Sequence, residues 1–107
     1  MGMGDVDVRD AVDRVVTLLR DAGRRELTIG EYQAVLDRFA AFLSGPGVDT
    51  ASESVCIEFI AGRTGVRLGA LHERVSDRNV QAVRRPVLML ADVLAGRTVD
   101  IDRSLIP

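Results

Sequence analysis

Apolar residues in the segment Thr28–Leu43, TIGEYQAVLDRFAAFL, fall at Tyr32, Val35, Leu36, Phe39, Phe42 and Leu43. That spacing draws one broad face along an α-helix. Thr28 stands three residues before Glu31, the pattern of a capping box: the Thr oxygen accepts an orphan N–H and the Glu reaches back to the cap. Ser44-Gly45-Pro46-Gly47 then stops the helix, because Gly admits a left-handed cap and Pro cannot continue the ladder.

Three further segments carry a helical period. Near the amino terminus Val8, Val12, Val15, Leu19 and Ala22 form a stripe, with Ala11 and Leu18 beside it. Asp5 or Asp7 can cap this helix, and Gly23 is its stop; Asp10 and Asp13 early and Arg20 late suit the helix dipole. The link to the next helix is short, which makes the two spatial neighbours. In it Leu27 is placed to pack back as a hydrophobic staple. A third helix is capped by Thr50, in a box with Glu53, or by Ser52. It carries Val55, Cys56, Phe59 and Ile60 on its apolar face, and Gly62 closes it. Residues 63–75 have no sustained period and contain two glycines, which predicts a loop with one or two helical turns.

Ser76 or Asp77 caps a fourth helix running to about Ala95, with Val80, Val83, Val87, Leu90, Ala91 and Leu94 on one side, Leu88 at its edge and Gly96 after it. Pro86 lacks the N–H donor and opposes the carbonyl of Ala82, so it either kinks one helix or opens a second. The apolar phase runs on through Pro86, which favours the kink. The fold class expected is all-α, one domain with its core over about residues 5–96 and a tail or linker over 97–107.

Composition narrows the functions open to the chain. Its 107 residues are enough for a core without metals or disulfides. One cysteine excludes an intramolecular disulfide and any multi-cysteine zinc site. No apolar run is long enough to span a membrane, and the acidic start MGMGDVDVRD is not a signal peptide. These features point to a cytoplasmic protein with no membrane partner. His72 has no companion at metal-ligand spacing, and GRTGVRLG lacks the Lys and flanking strand of a phosphate loop. The dense carboxylates Asp5, Asp7, Asp10 and Asp13 read as a solvated helix start, with a divalent-metal site as the weaker rival. Nothing gathers a nucleophile, a base and an orienting group, so no catalytic residue, metal or cofactor is expected.

The net charge of −2 hides a division. Residues 1–61 carry a net of −5, residues 62–86 a net of +4 and residues 87–107 a net of −1, and every basic residue is Arg. With Val83 and Val87 at the centre of the buried side, Arg78, Gln81 and Arg85 fall within about 60° of each other on the outer side. Arg84 lies nearer the apolar boundary and can lay its stem on the core with its guanidinium in water. Arg74 extends the patch. Arg and Gln on an exposed helix suit phosphates and base edges, so Arg74, Arg78, Gln81, Arg84 and Arg85 are the candidate DNA contacts. The plain alternative is a solvated surface.

The order of elements resembles a known family. A first helix is followed by Thr28, Tyr32, Leu36, Phe39, Phe42 and Leu43, then a Gly-containing turn and Glu53, Val55, Phe59 and Ile60. An Arg-rich helix with Arg84, Arg85, Leu88, Leu90 and Leu94 follows, closed by Gly96. This resembles the N-terminal SAM-like, core-binding domain of tyrosine recombinases and phage integrases over roughly residues 8–97, with Pro86 as a departure. The resemblance implies a compact orthogonal bundle of four to five helices that grips double-stranded DNA as half of a clamp. In that family the catalytic tyrosine and its partners sit in a separate C-terminal domain, and His72-Glu73-Arg74-Val75 does not match its His-x-x-Arg motif. A C-terminal catalytic domain, or a second copy of the chain, is then a possible partner. A helical protein-interaction or oligomerisation module is the alternative, suggested by the acidic first half and abundant Leu, Val and Phe.

Overall fold

In the computed structural model, residues 8–44, 52–97 and 99 are described. They form four helices: α1 (Val8–Asp21), α2 (Glu26–Leu43), α3 (Glu53–Thr64) and α4 (Arg78–Leu94). The expected caps at Asp5, Asp7 and Thr50, the Gly45–Gly47 stop and most of the tail after Gly96 lie outside the described residues.

The chain assembles around α4, rather than around the segment 28–43 that has the clearest period. Helix α4 packs on α1, α2 and α3, and α1 and α2 pack on each other. One cluster joins all four helices: Ala11, Val12, Val15, Val16 and Leu19; Ile29, Tyr32, Leu36, Phe39, Ala40 and Leu43; Cys56, Phe59 and Ile60; Val80, Val87, Met89, Leu90 and Ala91. Leu68 and Leu71, from the segment between α3 and α4, complete it. Phe39 reaches Phe59 at 4.8 Å between ring centroids, and Phe42 lies over the same ring at 5.5 Å. Phe42 stays partly exposed, outside the core proper. In α1 the stripe includes Val16, and Ala22 is exposed beyond the helix end.

Gly23 closes α1 at φ +78°. Its N–H donates to the Arg20 carbonyl and that of Arg24 to the Leu19 carbonyl, the paired bonds of a Schellman ending. Gly96 closes α4 the same way, through Gly96 N to Val93 O and Arg97 N to Asp92 O. The ion pairs Arg9–Asp37 and Arg20–Glu26 tie α1 and α2 at opposite ends, so the two run antiparallel.

Two expected helix ends move. Helix α2 starts at Glu26, with Arg25 as its cap residue and no side-chain cap. The Gly23 turn delivers the chain at once in an extended conformation at Arg25, and Ile29 N already bonds Arg25 O at 2.9 Å. Thr28 is therefore inside the first turn, where a cap has no role, and Leu27 is left 75% exposed instead of stapled. Gly62 does not end α3. The helix runs three residues further, to a left-handed ending at Gly65, φ +77°, whose N–H meets Ala61 O at 2.8 Å.

At the starts of α3 and α4 the caps are made by side chains. Ser52 Oγ accepts from Val55 N, and Asp77 Oδ1 accepts from Asn79 N at 2.8 Å and Val80 N at 3.2 Å. Helix α4 is continuous through Pro86, which is itself buried. The carbonyl deprived of a partner belongs to Ala82, itself exposed, where water can replace the lost bond.

Candidate nucleic-acid interface

The basic segment begins at the end of α3 and returns along that helix. After Gly65, Arg67 forms an ion pair with Glu58, midway along α3. The Glu58 carboxyl is held below its usual range and the Arg67 guanidinium above its own by this mutual hydrogen bond. Leu71 N then donates to Glu53 Oε2 at 2.8 Å, back at the start of α3. Leu68 and Leu71 turn into the core along this path. Glu73 folds onto its own loop, Oε1 accepting from Gly69 N at 2.6 Å and Ala70 N at 2.9 Å. Residues 65–77 are not helical.

Helix α4 holds the loop from the other side. Gln81 and Arg84 are three residues apart and so share a face. Gln81 Nε2 donates to Val75 O at 2.6 Å, and Gln81 Oε1 accepts from Arg84 Nε at 3.1 Å and Nη2 at 2.8 Å. Arg84 Nη1 donates to Leu71 O at 3.2 Å and Glu73 O at 2.5 Å. Partial burial lowers the Arg84 pKa, the Arg85 charge lowers it further, and Glu73 opposes both. The guanidinium stays charged at any working pH. Its planar fork matches a set of acceptors in fixed positions in a way a lysine would not.

The five candidate contacts are thus placed differently. Arg74 in the loop and Arg78 at the start of α4 are exposed. Gln81, Arg84 and Arg85 are half-buried. Gln81 and Arg84 are brought together, but their polar ends turn to the loop backbone. The Arg84 guanidinium, expected in water, is spent on main-chain carbonyls. Arg85 lies beside the Tyr32 hydroxyl of α2; burial raises the Tyr32 pKa, and the Arg85 and Arg24 charges pull it back. The outer stripe of Arg78, Gln81 and Arg85 is therefore shared between solvent, loop and α2. A helix with three helical neighbours and a loop on it keeps a narrow outward face, and no periodicity count reveals where the loop lies.

Sequence reasoning also missed the part that Glu58 and Glu73 play here, and it read Glu53 only as a capping-box partner of Thr50, whereas its carboxylate accepts from Leu71 N. Bringing Glu53 and Glu58 against residues 62–86 lowers the local net charge from +4 to +2. These acids do not all face outward as free charge, however: Glu53, Glu73 and Asp77 accept from backbone amides and Glu58 from Arg67. The sequence signal that could have found part of this is the Gln81-x-x-Arg84 spacing.

Other chemistry is sparse. Cys56 is wholly buried, and burial, followed by the Glu53 charge, pushes its thiol up to about 11. A thiol of that kind is a packing group at neutral pH. His72 is exposed in the loop. Among the described residues no group of His, Cys, Asp and Glu side chains is arranged to hold a metal ion, and no helix is long and apolar enough to cross a membrane. No protein-family model matches the chain, and no curated protein or solved structure matches it.

Proposed function

We propose that this chain is a non-catalytic helical domain that binds duplex DNA through its phosphates, acting as half of a clamp beside a separate catalytic domain of the tyrosine recombinase or integrase type. The observation that supports the reading most is the surface around the start of α4. Arg74 and Arg78 are exposed there, while Glu73 and Asp77 beside them are turned onto backbone amides. Arginines so placed suit phosphate oxygens. A surface this small predicts weak, sequence-independent binding on its own, with a Kd on the order of 10⁻⁴–10⁻⁶ M.

The test is the affinity of the full chain for a labelled duplex as salt is raised. The reading expects a linear fall of log K with log salt and a loss of affinity in Arg74→Ala with Arg78→Ala, with helical content unchanged. Affinity that ignores salt, or a double variant that binds as the parent does, would sink it. A second reading, a helical protein-interaction or oligomerisation module, would have to use the exposed Leu27, a single apolar side chain that by itself marks no interface. It expects salt-insensitive self-association that Leu27→Ser abolishes.

A further inference from the structure

The loop before α4 is unusually well tied for a connection without secondary structure. Five amides or carbonyls between Gly69 and Glu73, and one at Val75, are met by side chains of Glu53, Glu73, Gln81 and Arg84. Leu68 and Leu71 anchor it from below. The two exposed arginines sit on the same run of chain, four residues apart, so their Cα atoms are at most about 14 Å from each other. At about 3.4 Å of axial rise per nucleotide on one strand, that limit corresponds to no more than about four nucleotides.

We infer that the latched loop and the first turn of α4 form the phosphate-contacting surface, that Arg74 and Arg78 make the contacts, and that Arg84 and Gln81 are positioning residues that hold the loop in place. This rests on the DNA-binding reading and deepens it. Arg84 already donates to two carbonyls and to Gln81, so its guanidinium has few donors left for a ligand. Its contribution is to fix beforehand the loop that carries Arg74, which lowers the ordering cost on binding.

The test uses the full chain, a fluorescein-labelled 20-base-pair duplex and a salt series, with backbone amide exchange at Gly69, Ala70 and Leu71 as a readout independent of DNA. Arg74→Gln and Arg78→Gln each make the salt dependence shallower by about 0.9, one phosphate contact apiece. Arg84→Lys keeps the charge but loses the fork. It binds about tenfold more weakly with the slope unchanged, a loss comparable to ordering one residue's backbone, and the three amides exchange faster. Glu73→Ala, at an exposed position, gives an opposed sign. Charge alone predicts tighter binding once an acid is removed; the latch predicts weaker binding and faster exchange.

An Arg84→Lys protein with parental affinity overturns the inference. So does an Arg84→Gln protein whose slope falls by about 0.9 and recovers with Lys, because Arg84 would then be touching phosphate itself. Tighter binding by Glu73→Ala, or unchanged slopes in Arg74→Gln and Arg78→Gln, overturn it as well. If the parent binds no duplex while the three amides stay protected, the DNA reading itself has failed and the inference falls with it, though the loop is latched.

Discussion

Two connections among the described residues are closed by different means. Between α1 and α2 the chain turns in residues 22–25, held by main-chain bonds around Gly23. Between α3 and α4 it takes residues 65–77, held by carboxylates, an amide and a guanidinium reaching in from both flanking helices, with two leucines underneath. The first depends on the conformation of one residue. The second must offset a backbone ordering cost of about 1–2 kcal/mol per residue with contacts gathered from distant parts of the chain. A short turn can accept almost any neighbour that leaves its glycine alone. A long one is specified by residues outside itself, and it is there that exposed arginines are carried in a fixed frame.

Substitutions can break this contrast. The largest effect is expected from Leu71→Ala. If the long connection is part of the core, urea unfolding shows a loss of about 2–3 kcal/mol; a loss under about 0.5 kcal/mol would mean that the loop merely lies on the surface. Gly23→Ala comes next. A Cβ there meets nothing within 4 Å, so the cost is the left-handed backbone alone, about 1–2 kcal/mol in thermal unfolding. A negligible cost would show that the short turn is not set by that residue.

The contrast between helix starts is finer. Asp77→Ala removes a cap that satisfies two amides and costs about 1 kcal/mol. Thr28→Ala, at a residue with a capping sequence but no cap geometry, changes stability by less than about 0.5 kcal/mol in the same unfolding assay. Equal losses at the two positions would contradict the assigned start of α2.

What the sequence makes legible follows the same line. Gly23, Gly96, Ser52 and Asp77 act within a few residues of themselves, and each ends or starts a helix where local rules put it. The apolar stripes of α1, α2 and α3 are also local, because helix period alone decides which residues share a face. The Thr28–Glu31 box misleads because the turn at Gly23 had already begun the helix upstream. Met89 and Pro86 escape a one-sided stripe because α4 is enclosed by three neighbours, a tertiary fact. At the candidate site Arg74 and Arg78 are exposed as expected. The inward turn of Gln81 and Arg84 depends on where residues 71–75 come to rest, and Glu53, far back in the chain, is one of the groups that fix it.

Cys56 on α3 is wholly out of water, with its thiol pushed up to about 11. An alkylating reagent at neutral pH meets neither an accessible sulfur nor a thiolate, so labelling must wait until α3 separates from its neighbours. The chain thus carries a built-in clock: the rate at which its sulfur is trapped by the reagent counts the openings of the folded state, with no change to the sequence.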